Sequence, residues 1–254
     1  MQYQVKEEDK FKYYEAGQGK PLVLLHGLFG ALSNFYELID KFSSTHQVLV
    51  PMLPLFELAA EDTSVKSMVD YVNDFIEHKK LDRLVLLGNS LGGHIALLYV
   101  LQNPAKVEAI ILTGSSGLFE ESLGNSYPKK SDYEYIKEKT EKTFFDPAIA
   151  TKELVDEVFE IVNNREKAIR VLYLAKSALR HNIKEYIGTI NVPVLLIWGK
   201  DDTITPAFVG EEFHKHFPNS ELHILDQCGH APMMEKPEEF IAILEQFLNK
   251  LSPA

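Results

Sequence analysis

Residues 84–96 read LVLLGNSLGGHIA, and this stretch decides the fold. It opens with an apolar run typical of a buried strand, and residues 91–101 continue without a proline, which predicts a helix. Ser90 therefore lies on a tight turn between strand and helix. Such a turn strains the serine backbone and exposes its hydroxyl above the sheet edge. The turn crowds the positions two residues before and after the serine, and both are glycines, Gly88 and Gly92.

Two competing roles for this glycine-rich stretch are less favoured. The pattern Gly-x-Ser-x-Gly also occurs by chance in loops, but here a strand precedes it and a helix follows it. A dinucleotide-binding loop requires Gly-x-Gly-x-x-Gly, and this stretch lacks the second glycine of that pattern. At the start of a helix, unpaired backbone N–H groups also favour negative charge beside the serine.

The bulk composition restricts the class of protein. The chain has 254 residues and is 45% hydrophobic, which suits one α/β domain with room for an insertion. Its net charge is −11, from 26 basic and 37 acidic side chains. Because the sequence shows no basic stripe, we expect neither nucleic acid nor an anionic membrane surface as a partner.

Cysteine usage and hydropathy bear on location. Cys228 is the single cysteine, so an internal disulfide is excluded and a cytoplasmic location fits. Residues 1–10 lack the apolar core of a signal peptide. No run of about 18 apolar residues occurs, so we expect no membrane insertion. The sequence does not indicate an oligomeric state.

Strands alternate with helices in both the N-terminal and C-terminal parts of the chain. This alternation predicts a mostly parallel twisted sheet with helices on both faces and ligands bound at the carboxyl ends of the strands. Besides the opening stretch, we predict strands at 11–15, 22–25, 47–50, 107–112, 192–198 and 221–225, and helices at 35–42, 65–79 and 238–251.

Residues 118–188 differ in character from the rest. They contain no convincing strand but several charged helical stretches, at 133–142, 151–163, 166–179 and 183–187. We therefore predict a core domain formed by residues 1–117 and 189–254, and a helical cap inserted at residues 118–188.

A serine hydroxyl needs a base within hydrogen-bond reach, and that base needs a group to orient it. His230, in a loop after the last predicted strand, is the best candidate base. Asp202, just past strand 192–198, is the best orienting acid, with Asp201 competing and a simple turn-forming role as the alternative. The chain order of Ser90, Asp202 and His230 is that of Ser-Asp-His hydrolases.

An acyl-transfer intermediate also needs backbone N–H groups for its oxyanion, each worth roughly 3–4 kcal/mol in known cases. Leu91 follows the nucleophile and is the first candidate donor. The second lies in the loop after strand 22–25, where Gly27 and Gly30 permit unusual backbone angles. We choose Leu28 for this role, with Phe29 as the second choice.

These pieces together resemble an α/β-hydrolase-fold enzyme. The matching motifs are HGLFG at 26–30, GNSLGG at 88–93, GKDD at 199–202 and GHAP at 229–232, and they extend over residues 21–251. In that family the acid usually stands three residues after the strand-end glycine, which favours Asp202 over Asp201. The resemblance also implies a helical cap where residues 118–188 fall.

The Gly-Asn-Ser elbow and the cap are similar to carbon–carbon bond hydrolases that cleave meta-ring-fission products. Other features depart from these relatives. Residues 51–58, PMLPLFEL, contain no glycine where family members often carry Asp-x-x-Gly-x-Gly-x-Ser. The carbon–carbon hydrolases typically have a Gly-Pro-Gly-rich oxyanion loop and a tryptophan soon after the histidine, but this chain has FGA at 29–31 and APMM at 231–234. We expect loop 52–62 to border the pocket.

Several other residues have a weaker case. We interpret His26 as a structural hydrogen-bonding residue and His94 as a packed side chain, and Cys228 as a poor nucleophile. His214 and His216 lack metal-ligand spacing, so we expect no metal site. We assign Phe29 and Ser115 to substrate binding, although turn chemistry also explains Ser115 and its neighbour Ser116. Apolar cap residues that either wall an acyl site or pack the cap onto the core are Leu118, Phe119, Phe144, Phe145, Val171, Leu172 and Leu174.

The sequence therefore predicts a serine hydrolase that acts on a small or medium carboxylic ester without a metal or an organic cofactor. Ser90 is the nucleophile, His230 the base and Asp202 the orienting acid. Two alternatives stay open. One is a carbon–carbon bond hydrolase, for which Arg170 and Arg180 are candidate partners of a substrate carboxylate. The other is a hydrolase fold that serves as a ligand sensor.

Overall fold

The computed structural model describes residues 3–119 and 129–251. Within them, eight strands form one sheet in the order β1-β2-β4-β3-β5-β6-β7-β8. Pairs β1–β2 and β2–β4 are antiparallel and all other pairs are parallel. The strands are β1 (Lys6–Glu8), β2 (Phe11–Ala16), β3 (Lys20–Leu25), β4 (His46–Pro51), β5 (Leu84–Asn89), β6 (Val107–Thr113), β7 (Val194–Gly199) and β8 (Ser220–Leu225).

Helices cover both faces of the sheet, because successive strand side chains point to opposite sides. The helices are α1 (Tyr36–Phe42), α2 (Val65–His78), α3 (Leu91–Gln102), α4 (Tyr133–Glu141), α5 (Lys152–Asn163), α6 (Arg165–Arg180), α7 (Ala207–His216), α8 (Pro232–Glu235) and α9 (Pro237–Leu251). In β3, Val23 and Leu25 join one core cluster with α2, α3 and α7, whereas Leu22 and Leu24 join a second cluster with α1 and α9. This architecture confirms the predicted α/β-hydrolase fold.

Helices also occupy the chain between β6 and β7. Helices α4, α5 and α6 agree with three of the predicted helical stretches, but residues 183–187 form turns that lead into a short 3₁₀ helix at Ile187–Thr189. Residues 120–128 of the predicted cap lie outside the described residues. The division into core and cap stays a prediction.

Hydrogen bonds attach this helical segment to the remainder of the chain, among them those made by α6 and by the residues after α4. On α6, the Arg170 Nε–H donates to the Leu58 carbonyl at 2.7 Å, and the Ser177 hydroxyl accepts from the Val65 N–H at 3.0 Å. Just after α4, the Thr143 carbonyl accepts from the His230 N–H at 2.9 Å. The hydrogen bond after α4 joins the helical segment directly to the histidine loop.

None of the helices in the described ranges has both the length and the apolar character needed to cross a membrane.

The junction of β5 and α3 leaves no room for side chains on its glycines. A Cβ added at Gly92 would lie 2.0 Å from the Leu25 carbonyl oxygen. One added at Gly88 would lie 2.4 Å from the Gly92 backbone. The two glycines therefore allow α3 to start directly against the end of β3, which sets the position of Ser90.

This packing predicts that one methyl group added at Gly92 strongly lowers the stability of the fold. We expect Gly92→Ala to lower the free energy of unfolding by at least about 2 kcal/mol, because a backbone carbonyl must move. Gly188→Ala is the matched control, since the nearest atom to its added Cβ is 4.0 Å away. Urea unfolding of both variants measures the difference, and equal stabilities would contradict the close approach.

Candidate active site

Ser90 lies at the end of β5 with a strained backbone. Its φ of 55° and ψ of −118° are outside the conformations that a non-glycine residue readily adopts, at a cost of about 1–3 kcal/mol. The Ser90 N–H donates to the Thr113 carbonyl at 3.1 Å. The Ser90 carbonyl accepts from the N–H groups of Gly93 at 3.1 Å and Ser116 at 3.2 Å. These hydrogen bonds to α3 and to the end of β6 hold the strained turn in place.

The structure brings Asp202 and His230 together. His230 Nδ1 donates to Asp202 Oδ2 at 2.9 Å, and both side chains are buried. Because the Asp202 carboxylate accepts this hydrogen bond, Nδ1 of His230 carries the proton. Nε2 then has its lone pair available as a base. Asp201, the competing candidate, is exposed. Its neighbour Asp202 is therefore the one placed to orient the imidazole.

Asp202 is itself held by three further donors. Its Oδ1 accepts from the N–H groups of Ile204 at 2.8 Å and Thr205 at 2.9 Å, and its Oδ2 accepts from the Thr205 hydroxyl at 2.9 Å. The aspartate thus forms the local turn that its sequence context also allowed, and it contacts the histidine as well. One residue satisfies both interpretations.

The loop around His230 is fixed by residues to which the sequence patterns assigned no role. The Asn89 amide donates to the His230 carbonyl at 3.1 Å. The Glu235 carboxylate accepts from the N–H groups of Gly229 at 2.9 Å and Phe145 at 2.8 Å. Burial raises the pKa of the Glu235 carboxyl, and these backbone hydrogen bonds oppose that shift. Glu235 thus joins the histidine loop to the segment after α4.

The two predicted oxyanion donors belong to segments that adjoin Ser90. Leu91 is the first residue of α3, so its N–H has no carbonyl partner within the helix. Leu28 follows Gly27 in the loop after β3, and the Gly27 carbonyl accepts from Gly30 N–H at 3.1 Å. Gly27 approaches the nucleophile closely, because an added Cβ would lie 3.1 Å from Ser90 Cβ. The loop that carries Leu28 is therefore adjacent to the nucleophile.

A cavity of about 680 Å³ opens above the serine and the histidine. Ser90, His230, Leu28 and Phe29 lie in its wall. The opposite wall comes from α4, α5 and α6 and from residues that flank α4, and it is mostly apolar. Its described residues are Lys130, Lys139, Thr140, Thr143, Phe144, Leu154, Val158, Val162, Ala168, Val171, Leu172, Ala175, Lys176 and Leu179.

Ser115 requires a correction. It is fully buried, its hydroxyl donates to the Ser116 carbonyl at 2.8 Å, and it is not part of the described cavity wall. The reason is the close packing of α3, since a Cβ on Gly93 would lie 2.3 Å from Ser115 Oγ. Ser115 therefore packs behind the nucleophile rather than beside a substrate.

Loop 52–62 also differs from expectation, because none of its residues lines the cavity. Leu53 and Leu55 are buried in the core, and the Leu58 carbonyl accepts from Arg170. Arg170 is thereby used in attaching α6, and neither it nor Arg180 is part of the described cavity wall.

The apolar cap residues divide between the two predicted roles. Leu174 packs into the core, and the Phe119 ring contacts the Phe208 ring at 5.0 Å. Leu118 packs against the same core cluster, and Phe145 is exposed. Those that line the cavity are Phe144, Val171 and Leu172.

Comparison with known proteins identifies the class. The chain belongs to the α/β-hydrolase family. The sequence model of that family, described as alpha/beta hydrolase fold, matches residues 20–148 and 161–237. It is similar to a solved α/β hydrolase, MGS-MChE2, from the sediment metagenome of the Mar Chica lagoon, Morocco. The two chains are 40% identical with a TM-score of 0.81, and the match covers 97% of this chain and 98% of the other.

Two curated relatives carry different activities in their names. One is the 2-hydroxy-6-oxo-6-phenylhexa-2,4-dienoate hydrolase of Burkholderia cepacia, 26% identical over 263 residues, with 92% of this chain and 89% of the relative covered. The other is the pimeloyl-[acyl-carrier protein] methyl ester esterase of Nitrosomonas europaea, 28% identical over 254 residues, with 90% and 96% covered. These relatives are hydrolases, which supports an enzyme.

His26 and Cys228 are buried outside the cavity wall. His26 Nδ1 donates to the Gly27 carbonyl, its Nε2 accepts from the Leu53 N–H, and burial lowers its pKa. Cys228 is buried, which raises the pKa of its thiol and leaves it a poor nucleophile. Among residues 3–119 and 129–251, no three metal-ligating side chains come together, and His214 bonds instead to Ser220.

His94 is packed as predicted, but it is only half satisfied. Its Nε2 donates to the His181 carbonyl at 2.9 Å, whereas its buried Nδ1 has no partner among the described residues. Burial lowers the pKa of His94 to about 4, and the hydrogen bond to His181 opposes that shift.

This environment predicts a loss of stability in acid. The folded pKa lies below the unfolded value of about 6.5, so the unfolded chain takes up a proton that the folded chain excludes. We expect the His94 contribution to cost about 2 kcal/mol between pH 7 and pH 5. Urea unfolding across this range measures the slope. His94→Gln keeps the donor to His181 and should reduce the slope, and an unchanged slope would contradict the assignment.

Proposed function

We propose that the chain is a serine hydrolase that cleaves a small or medium carboxylic ester through an acyl-enzyme on Ser90. The observation that carries this proposal is the shared cavity. Ser90 and His230 lie in one wall, and the other ring nitrogen of the histidine is held by Asp202. This arrangement supports acyl transfer with Ser90 as nucleophile, His230 as base and Asp202 as orienting acid.

In the first half of the reaction, Ser90 Oγ attacks the ester carbonyl while His230 Nε2 takes the hydroxyl proton. The negative charge that develops on the carbonyl oxygen is stabilised by the N–H groups of Leu28 and Leu91. The carbon–oxygen bond to the alcohol then breaks, and His230 gives its proton to the leaving oxygen. Asp202 keeps the imidazole in the required tautomer and stabilises the imidazolium.

In the second half, water replaces the alcohol. His230 takes a proton from this water as it attacks the acyl carbon, and the same oxyanion site stabilises the new intermediate. The bond to Ser90 Oγ breaks, the proton returns to the serine, and the carboxylic acid leaves. No metal or organic cofactor takes part in this scheme.

A carbon–carbon bond hydrolase is the second candidate. The Gly-Asn-Ser elbow and the name of the Burkholderia cepacia relative favour it. Arg170 and Arg180, the candidate partners of its substrate carboxylate, are not part of the described cavity wall. Hydrolysis of a vinylogous dienol diketone acid with little ester turnover would favour this candidate over the esterase.

The central test uses p-nitrophenyl esters of increasing acyl length. We expect a pre-steady-state burst in the wild type and a loss of about 10⁴-fold in kcat for Ser90→Ala, because no other group replaces the nucleophile. Ser44→Ala is the control, since Ser44 is exposed and lies outside the cavity wall. Undiminished turnover by Ser90→Ala would overturn the proposal.

A matched pair of substitutions tests the orienting acid. We expect Asp202→Asn to lower kcat/KM by about 10²–10⁴-fold, because a carboxamide favours the wrong histidine tautomer. Asp201→Asn makes the same chemical change on the exposed neighbour and should stay within about twofold of wild type, as expected away from the site. A larger effect at Asp201 than at Asp202 would reverse the assignment.

A further inference from the structure

The charged side chains of the cavity wall are opposite in sign to the net charge of the chain. The protein carries 37 acidic and 26 basic side chains. The described wall nevertheless contains three lysines, Lys130, Lys139 and Lys176, and no aspartate or glutamate. In the described part of the wall, an acidic protein has therefore placed only positively charged side chains.

These three lysines have no ion-pair partner among the described residues, whereas three other lysines of the same helical segment do. Outside the cavity wall, Lys137 pairs with Glu141 at 3.8 Å, Lys167 pairs with Glu160 at 2.7 Å, and Lys152 pairs with Asp156. In the wall, Lys139 Nζ instead lies 5.7 Å from the centre of the Tyr135 ring. Like charges that share a wall without a counter-charge repel one another, and a bound anion relieves that repulsion.

Helix α6 shows how positive charge and apolar surface are combined. Its cavity-lining residues recur every three or four positions, so they form one stripe along the helix. Lys176 lies within this stripe between Leu172 and Leu179, each of which is 53% exposed. A ligand that fits this stripe has an apolar chain and an anionic group.

We propose that the substrate is an ester whose acyl chain ends in an anionic group, which Lys130, Lys139 and Lys176 bind while the ester carbonyl lies at Ser90. This inference rests on the proposed function and specifies its substrate class. The nucleophile and base come from the β-strand ends, whereas all three lysines come from the helical segment between β6 and β7. The strand ends therefore contact the ester group of the substrate, and the helical segment contacts its anionic end.

The test compares substrates that differ only at the far end. p-Nitrophenyl hexanoate and mono-p-nitrophenyl adipate have acyl chains of the same length, but only the adipate carries a terminal carboxylate. A third ester with a terminal phosphate separates a preference for carboxylate from one for phosphate. We expect the wild type to favour an anionic ester over hexanoate in kcat/KM by about tenfold, and added salt to reduce that ratio.

Two triple variants with the same change in net charge provide the control. We expect Lys130→Gln, Lys139→Gln and Lys176→Gln together to abolish the tenfold preference. Lys137→Gln, Lys152→Gln and Lys167→Gln remove three ion-paired lysines outside the wall and should retain it. An equal loss in both triple variants would mean that only the overall charge matters, and it would overturn the inference.

The outcomes also separate this inference from the proposed function. Turnover that persists in Ser90→Ala contradicts the acyl-enzyme, whichever ester is preferred. Ser90-dependent turnover with equal kcat/KM for hexanoate and the anionic esters contradicts only the anionic substrate. Calorimetric titration of the Ser90→Ala protein with monomethyl adipate and methyl hexanoate tests the preference without turnover. Equal affinities for these two ligands would overturn the inference.

Discussion

The close approach of helix α3 to the ends of the central strands is the constraint on which the site depends. Gly92 lies against the Leu25 carbonyl with no space for a methyl group, and Gly88 lies against Gly92 in the same way. Because the helix must start at this point, Ser90 is held at a φ of 55°. The strain is maintained by hydrogen bonds to α3 and to the end of β6, so the hydroxyl is positioned before any substrate arrives.

A second feature follows from the way the histidine loop is attached. The His230 main chain donates to Thr143 and accepts from Asn89, so it is fixed both to the helical segment and to the nucleophile strand. Glu235 adds a further connection between the same loop and Phe145. The base and the wall that faces it are therefore parts of one hydrogen-bonded unit.

Much of this arrangement could be read from the sequence, because it rests on local signals. Apolar runs indicated the strands, and the glycine spacing around Ser90 indicated the elbow. Position after a strand end selected Asp202 and His230 as the candidates that the structure brings together. The resemblance to α/β hydrolases also agrees with the family to which the chain belongs.

The features that the sequence did not reveal depend on packing between distant segments. Ser115 follows a strand end as a pocket residue would, but the approach of Gly93 buries it. Loop 52–62 faces the core because Leu53 and Leu55 have space there. The contacts of Glu235 join segments about 90 residues apart, and no local pattern predicts such a contact. The sequence also did not show that Lys130, Lys139 and Lys176 share one cavity wall, because they come from separate parts of the chain.

The most direct test of Ser90 as the nucleophile is to find which residue becomes covalently modified. A fluorophosphonate probe reacts with an activated serine, and mass spectrometry of the digested protein then locates the adduct. We expect one adduct, on the peptide that contains Ser90, and much slower labelling in Asp202→Asn because the base is misoriented. Labelling at another serine, or no labelling of the folded wild type, would contradict the claim that Ser90 is the nucleophile.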